Sequence, residues 1–531
     1  MAVKTFTQLD GGMNTAVNHF LMTSSEFDIL KNTDLNIIGR IRKALGFSIV
    51  GNDIGETAIL GIVDFRKKDG TKTQILGFNT ALYSLVDATW TAYTGSGAGL
   101  TANKKLCFEI FLNTLFALNG VDANRTMIAD GTWSTSTYLT GAPLGAFIKQ
   151  WHERLFTAAL ASSRVNMSDN PVGGKLTWGW QAGTDGANAA ATVFTSATAT
   201  FKAKNLKPGD ILRITSGPNI GDWPIRSVDS DTQVTIAGTF PDTSETSQAY
   251  EAGSNWFMVG EDDGDVITGF GTNSDRLLIF KNYSMWRWDG SAVMKIADSG
   301  LVNQRAIINK DEWTFFGNLD GIFYYDGTRP KLVSRKMQKF FDGADKTTIA
   351  DWVMWIDGDV VNFYIGSTTV DGVVYANCVV RYYISQNTCD FRDIGIAAKC
   401  AGEMIISGAK RTYIGDSVGR VFKTEEGNTQ YGSPLDMVVK TRNEDFGAPD
   451  VFKNLEEVII YCNYADGLGV FVVADDGDPV YLGQCQKTTT VLKSPPGVGG
   501  RRFSLLFSHS DTRSRPVIEG YTYRFNNSGE F

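Results

Sequence analysis

The chain is poor in several residue types that many functional sites require. Its 531 residues include 3 histidines, 6 cysteines and 13 prolines. The histidines (His19, His152 and His509) show no HExxH or paired-histidine spacing, and no two cysteines form CxxC, so the sequence disfavours a zinc site. The scattered cysteines also disfavour a disulfide framework, and they predict buried thiols in a protein made in a reducing compartment. They are Cys107, Cys378, Cys389, Cys400, Cys462 and Cys485.

Basic charge and long apolar runs are also scarce. The formal net charge is −8, whereas a surface that binds phosphates tightly would be basic. An acidic surface would repel DNA and would let it slide past. The first residues, MAVKTFTQLDGG, lack the basic-then-apolar pattern of a secretory signal, and no apolar run is long enough to span a bilayer. We therefore expect a product made inside a cell, or part of a particle assembled there, with no membrane-spanning segment.

Glycine and aromatic residues are plentiful, and residues 265–335 show how they are used. The same unit occurs twice in this stretch: a short apolar run, a polar turn, an aromatic run and then Asp-Gly. The apolar runs are residues 277–280 and 313–316, and the aromatic runs are residues 283–288 and 322–325. Runs of this length bounded by Asn, Asp and Gly predict strands joined by tight turns. We interpret the copies as blades of a β-propeller with six or seven blades.

Similar units occur on both sides of this stretch. Each has an aromatic centre, and most centres are spaced by about forty residues, the length of a four-stranded blade. The centres are Tyr83, Phe116, Phe156, Trp286, Phe323, Tyr364 and Tyr413. The interval from Phe156 to Trp286 is too long for one blade, which predicts an inserted unit.

The pattern predicts an all-β chain in five segments. Residues 1–57 form an extended N-terminal arm, and residues 58–182 and 261–430 form the two parts of the propeller. Residues 183–260 hold a linker and an inserted β-domain. Residues 431–531 form a C-terminal β-domain, or closing strands with a docking region. Insertions of this kind concentrate at exposed loop tips, where the chain ends stay close.

Three local predictions accompany this division. Residues 26–31 (EFDILK), after a possible serine cap, are a short helix candidate. Residues 183–197, rich in Ala, Gly and Thr, are interpreted as a linker, and residues 201–240 as a small β-barrel or hairpin domain. The cluster of Arg40, Arg42 and Lys43 is interpreted as a solvated strand face, with contact to an acidic neighbour as the alternative.

Motifs that carry chemistry are weak. Residues 415–419 match GxSxG, but short strands flank them, so a hairpin turn is favoured over a nucleophile elbow. Residues 171–175 (PVGGK) resemble a phosphate-binding loop only superficially, because Asp169 occupies the first glycine position and Leu176 replaces the hydroxyl residue. The acidic clusters at 261–265 and 475–478 lack the full calcium-loop spacing and favour hairpin turns. Trp286 and Trp288 share one strand face, where core packing is favoured over ligand stacking. A pair of carboxylates for glycosidic cleavage stays open, because sequence cannot place it.

The ordered segments resemble the tail nozzle (tail hub) proteins of short-tailed bacteriophages. The resemblance covers nearly the whole chain, and the inserted PGDILRITSG unit is also similar to small insertions in such proteins. The segments that carry it are residues 9–15 (LDGGMNT) with 26–47, residues 151–171 (WHERLFTAALASSRVNMSDNP), residues 264–290 with 315–327, and residues 446–452 with the strands after them.

The resemblance implies a structural virion protein and no enzyme, with no catalytic, cofactor-binding or metal-binding residues and no cofactor. It implies a hexameric ring in the virion tail, assembled in the host cytoplasm below the portal and its adaptor. The ring would retain the genome, conduct DNA during ejection without reading its sequence, and carry fibres or spikes. Three alternatives are a tail protein that binds host glycans, a glycan-cleaving enzyme of the propeller class, and a cellular propeller scaffold.

Overall fold

The computed structural model describes residues 1–18, 21–67, 69–128, 131–139, 142–171, 176–253, 255–261 and 263–527. His19, Asp262 and residues 172–175 lie outside these ranges. The fold is all-β, with a six-blade β-propeller arrangement and additional sheets, so the predicted fold class is confirmed. Two compact units are present: Met1–Ile62 with Asp87–Trp90 and Arg305–Phe531, and Val63–Val86 with Thr91–Gln304. No helix among the described residues is long and apolar enough to cross a membrane.

Six four-stranded antiparallel sheets form the propeller arrangement. Most are consecutive meanders, as expected for blades joined by short turns. Their strands are Ile59–Arg66, Lys72–Phe78, Ala81–Val86 and Thr89–Ala92; Cys107–Phe111, Thr114–Leu118, Arg125–Met127 and Trp133–Ser134; Phe147–Trp151, Arg154–Ala158, Arg164–Met167 and Trp256–Met258; Ile267–Asn273, Arg276–Lys281, Met285–Trp288 and Val293–Ala297; Ile307–Lys310, Trp313–Asn318, Gly321–Tyr325 and Lys331–Leu332; Ala398–Ile406, Ala409–Asp416, Val421–Lys423 and Ser48–Ile49.

Adjacent sheets bury apolar strands between them. Phe156 and Val165 of one sheet share a core with Phe270 and Ile279 of the next. Trp286 and Trp288 pack against the same core, which confirms core packing as their use. A fully apolar strand is stable here because both of its faces are covered.

The closed β-barrel lies between Arg164–Met167 and Trp256–Met258, the third and fourth strands of one sheet. The predicted small β-barrel is therefore present. Its strands, in order around the barrel, are Trp180–Ala190, Val193–Ser196, Gln233–Ile236, Gly221–Val228, Ile211–Ile214 and Gln248–Gly253.

The prediction of a linker at residues 183–197 is wrong, because this segment supplies two barrel strands. The glycines of this segment leave space for aromatic rings to pack against the backbone, and they do not mark a flexible stretch. A Cβ atom at Gly186 would lie 2.4 Å from the Phe194 ring, and one at Gly183 would lie 2.7 Å from the Tyr250 ring. Glycine within a strand commonly marks such a close approach.

A ten-stranded sheet combines N-terminal, central and C-terminal segments. It contains the predicted helix Glu26–Lys31 as a strand, so that prediction is wrong. Six residues form a marginal helix alone, whereas here the segment pairs with Thr388–Asp393 on one side and Met437–Thr441 on the other. The remaining strands are Val353–Asp357, Val360–Val370, Val373–Tyr383, Phe503–His509, Gly469–Ala474, Val480–Gln484 and Gly12–Met13.

A seven-stranded sheet also joins the two ends of the chain. Ala2–Phe6 pairs along Val517–Asn527, and Phe6 stacks on Tyr521 with ring centroids 5.0 Å apart. The strands of residues 1–57 are thus paired in sheets rather than forming a separate arm. The other strands of this sheet are Thr33–Asp34, Ile41–Lys43, Lys453–Asn463, Thr489–Lys493 and Gly499–Gly500.

Short elements complete the described structure. Thr429–Gln430 and Ser433–Pro434 form a two-stranded sheet. One α-helix spans Gln338–Asp342. The 3₁₀ turns are Gly95–Gly97, Gln304–Ala306, Arg335–Met337 and Lys346–Asp351.

Candidate functional site

Three concave regions lie within the unit of Met1–Ile62, Asp87–Trp90 and Arg305–Phe531. We name the first, of about 280 Å³, the polar cleft. Charged and amide side chains dominate it, which suits a polar ligand or a buried structural network. Its lining consists of Asp34, Asn36, Ile356, Asp357, Gly358, Val360, Asn362, Arg381, Glu403, Lys410, Arg411, Thr412, Thr424 and Glu425.

Arg381, which lines the polar cleft, belongs to a buried ion pair. The Arg381 guanidinium donates to both carboxylate oxygens of Asp390, at 2.8 and 2.6 Å, and these side chains are 3% and 0% exposed. Thr33 and Tyr383 donate further hydrogen bonds to Asp390, at 2.6 and 3.1 Å, and Arg381 also donates to the Thr33 carbonyl. Burial raises the pKa of Asp390, although Arg381 opposes that shift. The pair ties the N-terminal segment to the central strands.

Asp357 is a second titratable group that lines the polar cleft. Its carboxylate accepts hydrogen bonds from Trp355 Nε1 and Thr424 Oγ1, both at 2.9 Å. Burial, with the nearby Glu425 charge, raises the pKa of Asp357 to about 6. A carboxyl with such a pKa can hold or release a proton near neutral pH. Sequence reasoning missed this residue, since nothing in the local WIDG sequence indicates its burial.

The second region, of about 510 Å³, we name the aromatic groove. Trp313, Phe315 and Tyr324 come from one propeller sheet, and Tyr382 comes from the neighbouring ten-stranded sheet. Ring centroids are 5.8 Å apart for Trp313 and Tyr324, and 6.3 Å apart for Phe315 and Tyr382. The remaining lining residues are Lys331, Leu332, Val333, Arg335, Lys336, Ile384, Asn387 and Cys389.

The third region, of about 560 Å³, we name the arginine cleft. Each of its four guanidinium groups has a carboxylate partner: Arg42 and Arg515 contact Asp34 at 2.5 and 2.9 Å, Arg40 contacts Glu519 at 3.0 Å, and Arg513 contacts Asp511 at 2.6 Å. The other residues that line it are Ile37, Asn428, Asn463, Tyr464, Asp466, Ser514 and Val517.

The interpretation of residues 40–43 as a solvated face is wrong for Arg42 and Lys43. Lys43 is 0% exposed, and its Nζ lies 2.8 Å from the Asp511 carbonyl and 3.2 Å from His509 Nδ1. Burial lowers the pKa of Lys43. The acidic neighbour of the alternative interpretation is Asp34, in the same chain.

The GxSxG segment is a hairpin turn, as predicted. It connects Ala409–Asp416 to Val421–Lys423, and the Asp416 carboxylate accepts hydrogen bonds from the backbone N–H groups of Val418 and Arg420. A strand follows the turn where a nucleophile elbow would have a helix.

The histidines have structural surroundings. His152 lies at a hairpin turn with φ of 50°, and its ring packs on Trp151 with centroids 4.1 Å apart. His509 is buried beside Lys43, and its Nε2 lies 2.9 Å from Ser514 Oγ.

The two acidic clusters have different surroundings. Residues 475–478 form the predicted hairpin turn, between Gly469–Ala474 and Val480–Gln484. The cluster at 261–265, of which Asp262 lies outside the described residues, falls between Trp256–Met258 of one sheet and Ile267–Asn273 of another, so the hairpin prediction is wrong there. Asp263 instead contacts the buried Lys281 at 2.6 Å. Among the described residues, no group of three or more His, Cys, Asp or Glu could hold a metal ion.

The six cysteines are free thiols, five of them buried. Burial raises the pKa of Cys107 to about 11 and that of Cys389 to about 12. Thiols with such pKa values are poor nucleophiles.

Comparison with known proteins supplies no family. No family model matches the sequence, and no curated protein matches it. Similar solved structures include the computationally designed Ika8 protein, with a TM-score of 0.34 and 11% identity over 71% of this chain and 99% of that one. The phage phi92 endosialidase has a TM-score of 0.29 and 10% identity, over 77% and 74% of the two chains. Virginiamycin B lyase from Staphylococcus aureus has a TM-score of 0.27 and 13% identity, over 60% and 94%. Likenesses this weak carry no functional argument.

Proposed function

We propose that this chain is a tail nozzle (tail hub) protein of a short-tailed bacteriophage. In this proposal six copies form a ring-shaped channel below the portal-adaptor, in the virion tail. The channel retains the genome, conducts DNA during ejection, and serves as a platform for fibres or spikes.

One architectural observation carries the proposal. A closed barrel is inserted between the third and fourth strands of one propeller sheet, while the two ends of the chain interlace in the same sheets. The sequence segments that resemble the nozzle family occur in this same order along the chain. The support is therefore agreement between segment order and architecture, and it does not depend on any single motif.

Two edge strands offer surfaces for a ring contact. Val480–Gln484 is the last strand of the ten-stranded sheet, and Thr489–Lys493 is the last strand of its main path in the seven-stranded sheet. Tyr481 and Val491 on these strands are 51% and 52% exposed. A cyclic ring requires heterologous contacts, in which one patch meets a different patch on the next copy. Exposed apolar side chains on unpaired edges suit such a contact.

The net charge of −8 also agrees with a conduit that does not adhere to DNA. Phosphate contacts from Lys and Arg produce tight, salt-dependent binding. A channel through which a genome must move quickly benefits from the lack of such contacts. We expect the isolated protein to bind duplex DNA weakly at physiological salt.

Electron microscopy of the purified protein tests the proposal. We expect sixfold rings with an axial channel, and labelled protein on the tail axis of virions. The double variant Tyr481→Glu with Val491→Glu should abolish rings while circular dichroism shows an intact fold. Tyr283→Glu, at an exposed turn outside these edges, is the matched control and should keep rings. Monomers at every concentration, together with absence from the virion tail, would refute the proposed function.

A further inference from the structure

We propose that the aromatic groove binds an oligosaccharide that carries carboxylate groups. This inference goes beyond the conduit role and holds whether or not the chain forms a ring. It is based on three features of the groove: an exposed tryptophan ring beside a partly exposed tyrosine ring, a set of cations of which Arg335 has no ion-pair partner among the described residues, and hydrogen-bonding groups at the aromatic edges.

The accessible aromatic surface consists of Trp313 and the partly exposed Tyr324, whereas Phe315 and Tyr382 are buried. Trp313 is 42% exposed, whereas Phe315 beneath it is 1% exposed. The Tyr324 hydroxyl accepts a hydrogen bond from Lys331 Nζ at 3.0 Å, and the Tyr382 hydroxyl donates to Asn387 Oδ1 at 3.1 Å. Large exposed aromatic side chains with a polar edge are enriched at binding sites. The apolar C–H face of a sugar ring can stack on such a surface, while its hydroxyls reach the polar edge.

Cations surround this surface although the chain as a whole is acidic. Lys331 contacts Asp326 at 3.1 Å, and Lys336 contacts Glu26 at 2.9 Å. Arg335 is exposed, and within the described part of the chain it makes no ion pair or side-chain hydrogen bond. A guanidinium presents donors in a fork that matches a carboxylate. Arg335 is therefore the group that we assign to the ligand carboxylate.

The size and composition of the groove favour a saccharide over a flat base or an extended peptide. Its volume of about 510 Å³ lies within the range of small-molecule sites. The aromatic rings are tilted, by 46° between Trp313 and Tyr324, so they do not form one plane for a base. An acidic peptide would satisfy the cations but would leave the exposed Trp313 face without a specific role.

Titration calorimetry with the full-length protein tests the proposal. The probes are tetragalacturonate, a linear trimer of sialic acid, fully methyl-esterified tetragalacturonate and hexaglutamate. We expect at least one acidic saccharide to bind more tightly than the ester and than hexaglutamate, by about tenfold. The methyl ester isolates the carboxylate because its sugar rings are the same.

Variants assign the binding to the groove. Trp313→Ala should weaken binding of the acidic saccharide by at least about tenfold, because stacking area is lost. Arg335→Gln should abolish the preference for the acid over the ester. Tyr283→Ala and Arg226→Gln, which alter exposed side chains far along the chain from the groove, are the controls and should bind as the wild type does. Thermal unfolding checks the fold of each variant, and Trp313→Phe replaces Trp313→Ala if the latter unfolds.

Four results would overturn the proposal. They are no binding of either acidic saccharide at millimolar concentration, equal binding of the ester, equal binding of hexaglutamate, and unchanged binding in a folded Trp313 variant. None of these results depends on ring formation, so failure here and failure of the conduit proposal are distinguishable.

Discussion

The inserted barrel and the sheets that join the chain ends achieve stability in different ways. The barrel lies within residues 180–253, and its core is apolar: Phe194, Leu212, Val234 and Tyr250 are all at most 2% exposed. The terminal sheets instead pair residues as distant as Thr5 and Thr522, and buried charges lie among their strands. The barrel can form from a short continuous segment, whereas the terminal sheets require both ends of the chain.

The difference shows what buried charge contributes in this fold. An apolar core has no directional preference and tolerates repacking. The Arg381–Asp390 pair, with its bonds to Thr33, is satisfied only when the N-terminal segment is correctly placed. We infer that the ionic groups specify the register of the terminal sheets, a role that buried polar groups fulfil in some proteins.

The largest effect should come from Arg381→Ala. It leaves the Asp390 carboxylate buried without its cation, which should lower the free energy of unfolding by about 3–5 kcal/mol. The measurement is denaturant unfolding, with hydrogen exchange to locate the loss. Exchange should increase in both N- and C-terminal strands, because they depend on each other.

A paired control separates charge from volume. Arg381→Met combined with Asp390→Leu removes both charges and should regain much of the lost stability. If Arg381→Ala alone cost less than about 1 kcal/mol, the pair would be as weak as an exposed ion pair, and the inferred specifying role would be wrong.

In the barrel, Phe194→Ala should lower stability by a similar amount, but through a cavity rather than an unpaired charge, and only locally. Phe194 is fully buried, and its ring centroid lies 4.8 Å from that of Tyr250. The alanine would leave a cavity, which should lower the free energy of unfolding of the barrel by about 3–4 kcal/mol. Hydrogen exchange should increase within residues 180–253 and stay unchanged in the terminal strands. Increased exchange at Ala2–Phe6 or Val517–Asn527 would contradict the independence of the barrel.

A smaller, pH-dependent effect is expected at Asp357. Its pKa of about 6 lies above the ordinary value, so the folded state binds this proton more tightly than the unfolded state. The resulting stabilisation is complete below the ordinary pKa and is lost as the pH rises through about 6. The free energy of unfolding of Asp357→Asn, relative to that of the wild type, should therefore increase by about 2–3 kcal/mol between pH 4 and pH 7.

Asp326 is the control for Asp357, because its contribution to stability depends on pH in the opposite direction. Hydrogen bonds from Thr328 lower the pKa of Asp326 to about 2, so its contribution is present at neutral pH and is lost on acidification. Urea unfolding at several pH values should show opposite slopes for Asp357→Asn and Asp326→Asn. A pH-independent difference for Asp357→Asn would contradict the raised pKa.

Local patterns predicted the parts of the fold that are local. The apolar run at 277–280 indicated a strand with both faces covered, and the residues around GxSxG indicated a hairpin. Glu26–Lys31 was missed because its strand partners, Thr388–Asp393 and Met437–Thr441, lie hundreds of residues away. The glycines at 183 and 186 resembled a flexible linker because sequence does not show the rings that approach them.

The candidate sites were less predictable than the fold. Trp313 and Tyr324 belong to a stretch that the sequence identified as strands, yet the groove that they line also includes Tyr382, which packs on Phe315 from another sheet. The burial of Lys43 and Asp357 arises from tertiary packing, which leaves no local sequence signal. Periodicity reports which face of a strand is covered, but not which segment covers it.

The smallest effect should follow removal of the whole barrel. Trp180 and Gly253 are paired neighbours, so a short Gly-Ser linker can replace residues 180–253 with little closure entropy. Arg213, whose guanidinium lies 4.7 Å from the Trp256 ring, would be removed, and Arg164, at 4.6 Å from that ring, would lose its partner Glu251. The deletion therefore also carries Arg164→Met, so that no buried charge is left unpaired. We expect the unfolding free energy of the remaining sheets to fall by about 1 kcal/mol or less. Hydrogen-exchange protection of Arg154–Ala158 and Ile267–Asn273 measures this change. Loss of protection across these strands would mean that the barrel supports the sheet that carries it, and the contrast between a local barrel and interdependent terminal sheets would then fail.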